Sequence, residues 1–305
     1  MTPAPTSRPA SVRIREVGPR DGLQVEAPVP VADRVRLVEA VLDAGVRHVE
    51  AAAFVSPRAV PAMDGAAEVM AALERRPGVT YAVLVPNLTG ARRVPWCDEV
   101  TFTVSVSPEY NRRNVNRSID ESVAEAGRVS TLMAERGVPV DAVVSCAFGS
   151  PYEGDVAVEE VTALGERLRA AGVASLTYAD TTGMATPRRV AALLAATGPG
   201  VGLHLHDTRG TALVNAYAAL EAGVRRFDTA VGGLGGSPAV AGTAGGAGGN
   251  LATEDLVHLL DDLGVDTGID LDALLEASRL VASVVGHAVP SRVAAAGPRW
   301  RGGAP

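Results

Sequence analysis

The chain has 305 residues, a net charge of −7 and 47% hydrophobic residues, enough for a sizeable core in one large α/β domain or two small ones. Its acidic balance argues against nucleic acid and anionic membrane surfaces as partners, and no apolar run approaches the ~18 residues of a membrane span. Every basic side chain is Arg, which excludes Schiff-base aldolases, pyridoxal enzymes and P-loop NTPases, because each needs a Lys amine.

Met1 to Ala10 is rich in Pro, Ala and Thr and has no apolar h-region, so we expect a frayed tail and no secretory signal. Cys97 and Cys146 are too few for a disulfide framework, which fits a reducing compartment and a cytoplasmic location. Val12 to Val17 is a short alternating strand that ends in the turn-rich stretch Gly18-Pro19-Arg20-Asp21-Gly22. Val31 to Ala44 has helical periodicity and stops at Gly45. Further strands are expected at Val46 to Ala51, Tyr81 to Val85, Glu99 to Val106, Val140 to Cys146, Ser175 to Ala179, Val201 to His206 and Arg226 to Val231.

Helical patterns separate them, clearest at Val156 to Ala171 and Thr211 to Ala222. Ala44-Gly45-Val46, Ala171-Gly172-Val173 and Ala222-Gly223-Val224 each read as a Gly helix stop feeding a strand. Eight strand–helix units point to a (β/α)8 barrel of the TIM type. A doubly wound sheet is the runner-up, but Gly-Pro-Arg-Asp-Gly poorly matches its Gly-x-Gly-x-x-Gly turn. Leu251 to Arg301 reads as appended C-terminal helices, with an acidic first turn at Thr253-Glu254-Asp255 and a helix over Leu271 to Val285. We expect one domain over residues 11–295, with loose tails at 1–10 and 296–305.

Barrel active sites lie at the C-terminal ends of the strands. His204 and His206 alternate with Leu203 and Leu205 at such an end, so both imidazoles point to one face. That is half of a metal site; a pair of hydrogen-bonded core histidines is the alternative. The other polar residues at these ends are Arg20, Asp21, Gln24, Glu50 and Asp180, with Thr181 beside the last and Gly235 and Gly236 within the Gly-rich loop from Gly232 to Asn250. The first and eighth strands are neighbours in a closed barrel. Asp21, His204, His206 and Asn250 would then supply two nitrogen and two oxygen donors, a set suited to Mg²⁺ or Mn²⁺.

Ile14-Arg15-Glu16-Val17-Gly18-Pro19-Arg20-Asp21-Gly22-Leu23-Gln24 resembles the first-strand motif of the 3-hydroxy-3-methylglutaryl-CoA lyases. Supporting stretches are Glu50 to Pro57, Val85 to Leu88, Asn114 to Ile119, Ser145 to Gly154, His204 to Thr208 and Gly249 to Asp255, and the resemblance runs from about Val12 to Val293. The related synthases typically carry Asn-Asp after H-x-H, where this chain has Asp207-Thr208, and the carboxyltransferase cousins use a Lys that it lacks.

The resemblance implies cleavage of a 3-hydroxy-3-methylglutaryl-CoA-like acyl-CoA to acetoacetate and acetyl-CoA. It implies a divalent ion held by Asp21, His204, His206 and Asn250. Asp21 or His204 would take the hydroxyl proton, Arg20 would stabilise the enolate, and Glu50 would hold Arg20. Gln24, Asp180, Thr181, Gly235 and Gly236 are candidates for substrate contact. Arg112 and Arg113 are candidates for the coenzyme A phosphates, with a solvated helix face as the alternative. We expect a homodimer or other homo-oligomer.

One departure bears on the substrate. The family's eighth-strand loop carries a Cys, taken to protonate the acetyl-CoA enolate, where this chain has Ser237. The path on to Asn250, through Gly242 to Gly249, is also longer and reads as a lid. An alcohol is a far weaker acid than a thiol of pKa ~8.5. Either water protonates the enolate, or the enzyme is a related aldolase or Claisen-type catalyst for a different 3-hydroxy acyl substrate. A non-catalytic acyl-CoA or metal-binding descendant is a third reading, against which the complete donor set argues.

Overall fold

The computed structural model describes residues 8–236 and 249–299. Eight parallel strands close into a barrel in sequence order. They are β1 (Arg13–Glu16), β2 (His48–Ala53), β3 (Thr80–Leu84), β4 (Glu99–Ser105), β5 (Val140–Ser145), β6 (Ser175–Asp180), β7 (Gly202–Leu205) and β8 (Arg226–Thr229). The closing pair aligns Arg13 with Arg226 and Arg15 with Asp228. Helices α1 (Val31–Asp43), α2 (Ala66–Ala72), α3 (Leu88–Arg93), α4 (Pro108–Val115), α5 (Ile119–Ala134), α6 (Val158–Ala170), α7 (Pro187–Thr197), α8 (Ala212–Glu221), α9 (Thr253–Asp262), α10 (Leu271–Val285) and α11 (Arg292–Ala296) surround it. This is the expected (β/α)8 barrel, built from strands buried on both faces and rich in Val and Ala.

The local chemistry explains the boundaries. Gly45, Gly172 and Gly223 have φ of 101°, 94° and 95°, so each Ala-Gly-Val stops a helix in a conformation open to Gly. Ser118 and Glu121 form a reciprocal capping box that starts α5. Ser107-Pro108 reads as a loop in sequence but opens α4: the Ser107 side chain accepts the Tyr110 N–H, and Pro fits the first turn. β8 stops at Thr229, short of the expected Val231, because Gly232 turns the chain at φ 74° into a 3₁₀ turn. Helix α9 is the barrel's eighth helix, so only α10 and α11 are appended beyond the barrel. Helix α10 packs on α1 and on the turn after β8. Among the described residues no helix is long and apolar enough to cross a membrane.

Candidate active site

The first barrel loop is wound more tightly than its sequence suggests. Residues Gly18–Gly22 form one π-type turn in which the Val17 carbonyl accepts the N–H groups of Arg20, Asp21 and Gly22. That turn brings Arg20 and Asp21 into the barrel mouth. There, Arg20 pairs with Glu50 at the second strand and donates to Asp21 Oδ1 at 2.7 Å. Gln24 Nε2 donates to the same Oδ1 at 2.8 Å. Asn250 arrives by strand pairing, because Asp207 N–H bonds Gly249 O and Leu251 N–H bonds Leu205 O. This bridges Asn250 to His206 at the end of β7. Gly235 makes room: a Cβ there would collide with the Asn250 amide.

Asp21, His204 and His206 offer ligand atoms that all lie within 4.8 Å of one another, and all three residues are buried. Each imidazole has its Nδ1 engaged by a group that can only accept. His204 Nδ1 lies 3.2 Å from Asp228 Oδ2, and His206 Nδ1 lies 2.7 Å from the Thr181 carbonyl. Both Nδ1 atoms therefore carry hydrogen. The two Nε2 atoms face each other at 3.1 Å, an approach that needs a proton or a cation between them. Asn250 donates to Asp21 Oδ2 at 2.7 Å, while its own buried Oδ1 has no hydrogen-bond partner among the described residues. Converging lone pairs, a carboxylate and an orphaned amide oxygen fit a divalent cation.

The electrostatics agree with that fit. Burial pushes the Asp21 carboxyl up, but Arg20 and the two imidazoles outweigh it and leave it below the usual carboxylate range. Burial and the neighbouring His204 charge lower His206 to about 4. For His204 burial also lowers the pKa, but Asp228 and Asp21 overcome it, so the shift is upward.

A cavity of about 330 Å³ opens in front of this cluster. Arg20, Asp21, Gln24, Thr181, His204, His206 and Gly236 line one side. Arg113 lies at its rim, paired with Glu109 and stacked 4.8 Å over the Tyr152 ring. Arg112 is exposed and outside this lining, while Glu50 and Gly235 support it from behind. Asp180 also lies behind the wall. Its Oδ1 takes the Met184 N–H, its Oδ2 has no partner among the described residues, and burial raises its carboxyl to about 6. Ser237 and the long path from Gly242 lie outside the described residues apart from Gly249. Cys146 is no replacement acid: it is fully buried, and burial pushes its thiol up to about 12. A larger groove of about 760 Å³ between α9 and α10 holds none of these residues.

Sequence reading missed Asp228, the Thr181 carbonyl, and the opposite wall of Val55, Val60, Leu84, Val115 and Val143. Alternation along Arg226-Phe227-Asp228-Thr229 was the available signal for Asp228, since it puts Asp228 and Phe227 on opposite faces.

The HMGL-like family model matches residues 11–281. The chain belongs to the HMGL-like family. It is 42% identical over 296 residues to the 3-hydroxy-3-isohexenylglutaryl-CoA/hydroxymethylglutaryl-CoA lyase of Pseudomonas aeruginosa, covering 94% of this chain and 97% of that one. It is 43% identical over 290 residues to the hydroxymethylglutaryl-CoA lyase of Pseudomonas mevalonii, covering 92% and 95%. Among solved structures, an Acinetobacter baumannii HMG-CoA lyase in complex with coenzyme A and 3-methylmalate superposes with a TM-score of 0.91 at 36% identity, covering 98% of this chain and 99% of that one. Like these HMGL-like relatives, the chain is an enzyme of the lyase class.

Proposed function

We propose that this enzyme cleaves 3-hydroxy-3-methylglutaryl-CoA, or a close analogue, to an acetoacetate-type acid and acetyl-CoA in a reaction dependent on Mg²⁺ or Mn²⁺. The carrying observation is the pair of Nε2 atoms 3.1 Å apart beside Asp21, with Asn250 Oδ1 unpartnered among the described residues. Asp21, His204, His206 and Asn250 would hold the ion. When bound, it supplies Lewis acidity that lowers the pKa of the tertiary hydroxyl and a template for the substrate oxygens.

The remaining work belongs to the chain's own groups. Of the two candidate bases, Asp21 takes the hydroxyl proton as the C–C bond breaks, because His204 carries hydrogen on Nδ1 toward Asp228 and would give its Nε2 lone pair to the ion. The electron pair of that bond moves to the thioester enolate, and Arg20 places a fixed positive charge toward its oxygen. Glu50, paired with Arg20, keeps the guanidinium from swinging away. The enolate carbon then takes a proton from Ser237 or water to give acetyl-CoA. Arg113 at the rim is placed for a coenzyme A phosphate, and Gln24, Thr181 and Gly236 for the acyl portion. The free thiols of Cys97 and Cys146 support a cytoplasmic setting.

A second reading follows from Ser237 and from the apolar wall. The relative whose name includes an isohexenyl substrate is 42% identical. Val55, Val60, Leu84, Val115 and Val143 would suit a branch at C3 longer than methyl. Purified protein given Mn²⁺ and either the methyl or a longer-branched substrate tests both readings. Release of acetyl-CoA from neither overturns them, and a preference for the longer branch selects the second.

A further inference from the structure

Beneath the metal cluster the barrel holds a second, buried polar layer that the proposed chemistry does not use. Strand register puts Arg15, Asp228 and His204 side by side on β1, β8 and β7. Arg15 grips Asp228 in a fork: Nε reaches Oδ1 at 2.9 Å, and a terminal nitrogen reaches Oδ2 at 2.7 Å. Its other terminal nitrogen donates to Asp141 and to Glu99, each at 3.0 Å. Thr177 also donates to Asp141, and His48 pairs with Glu99. Such a charged layer is costly to bury, and well-packed apolar side chains often do the structural job as well. Only one of these groups touches the site above, and it touches a proposed ligand.

We infer that Asp228, clamped by Arg15, is a positioning residue that locks His204 as its Nδ1–H tautomer and so sets the divalent-metal affinity of the site. The inference rests on the metal reading above. The geometry leaves Asp228 little freedom. Both its oxygens are taken by Arg15, and Oδ2 faces His204 Nδ1 at 3.2 Å. An acceptor held there requires a hydrogen on Nδ1, which aims the Nε2 lone pair at Asp21 and His206. Carboxylates behind metal-binding imidazoles act in this way, and their loss typically costs about 10–100-fold in metal affinity.

The clamp gives a sharp consequence for Asp228→Asn. Arg15 donates at both carboxylate positions, so one of its N–H groups meets the new NH₂ whichever way the amide turns, and the clamp loosens. Either way His204 Nδ1 loses its anionic acceptor. The Nδ1–H tautomer is then held less firmly, and the form with hydrogen on Nε2, the atom needed for the metal, gains population. The variant keeps shape and packing yet weakens the hold on the tautomer, the role a carboxylate plays behind a catalytic His.

The test uses ¹⁵N NMR of the histidine rings in metal-free protein at alkaline pH, together with Mn²⁺ titration followed by EPR. In the unaltered protein His204 should carry hydrogen on Nδ1. Finding it on Nε2 overturns the inference without any variant. Asp228→Asn should raise the fraction with hydrogen on Nε2 and weaken Mn²⁺ binding about 10–100-fold. Asp141→Asn removes a charge from the same layer without touching His204 and should leave both readouts unchanged. Equal weakening in both variants, or unaltered Mn²⁺ affinity in Asp228→Asn, overturns the positioning role. Failure of the unaltered protein to bind Mn²⁺ would overturn the metal reading instead, and the tautomer measurement would still judge Asp228.

Discussion

The two halves of the barrel mouth are built on different principles. Around β1, β7 and β8 nearly every polar atom has a directed partner: Asp21 with Arg20, Gln24 and Asn250, His204 with Asp228, and His206 with Thr181. Facing them, Leu84 and Val143 on β3 and β5, together with Val55, Val60 and Val115, offer a largely apolar surface, interrupted by the Thr103 and Ser145 hydroxyls, which bond each other at 3.3 Å, and by Asn114. The first half fixes charge and tautomer before substrate arrives, which is what transition-state stabilisation requires. The second half fixes mainly shape and volume, so it discriminates between substrates more weakly than the first half discriminates between reactions.

That contrast can be broken at the polar half with the largest effect. His206→Ala should remove activity and weaken Mn²⁺ binding beyond the roughly 10–100-fold that outer-shell changes produce; titration of the variant with Mn²⁺ checks this. Ser237→Cys addresses the stretch of sequence between β8 and Asn250. If enolate protonation limits turnover, the thiol should raise cleavage of 3-hydroxy-3-methylglutaryl-CoA by about 10²–10⁴-fold, the usual yield of a general acid. An unchanged rate shows that water suffices or that residue 237 is out of reach. Arg20→Met should lower kcat by roughly 10²–10³-fold, with a smaller change in KM, because the charge it meets exists only during cleavage. Loss of affinity alone would remove Arg20 from that role.

At the apolar half the effects should be smaller and selective. Val60→Phe narrows the cavity and should reduce kcat/KM for a long-branched substrate about 10–200-fold while sparing the methyl compound. Equal loss on both would deny the wall its selecting role.

The smallest effect on rate concerns Glu16 and Glu254, buried behind the polar half. Glu16 receives Gly18 and Val231 N–H groups, and Glu254 receives that of Gly232. Burial raises both carboxyls to about 7. A carboxyl raised on folding contributes its full stability below its unfolded value of about 4.5 and loses it as pH rises through about 7. Glu254→Gln removes that dependence, so the variant should gain on the unaltered protein as pH rises from 5 to 8, with similar turnover. Urea unfolding at several pH values measures the difference, and a constant gap would refute the shift.

What sequence revealed follows the same division. The His204–His206 alternation and the three Ala-Gly-Val stops are local signals, and the fold places them as they read, while the strand ends fall within two residues of where they read. Asn250 entered the donor set from barrel closure and from the family resemblance, not from a local pattern. Its position depends on backbone pairing with β7, which local pattern does not encode. Arg112 and Arg113 are adjacent in α4, and composition alone could not say which one reaches the cavity rim. Asp228 and Arg15 looked like ordinary charges on short strands. Their meaning comes from register across β1, β8 and β7, a property of the closed barrel. The apolar wall is gathered from four separate segments and was invisible for the same reason.

The most direct test of the account is a metal titration of turnover. Protein stripped with chelator should release no acetyl-CoA from 3-hydroxy-3-methylglutaryl-CoA or its longer-branched analogue. Activity should return with Mn²⁺ and saturate at one ion per chain, with equal amounts of acetyl-CoA and oxo-acid released. Undiminished cleavage by the stripped protein, or no cleavage of either substrate by the fully loaded one, would contradict it.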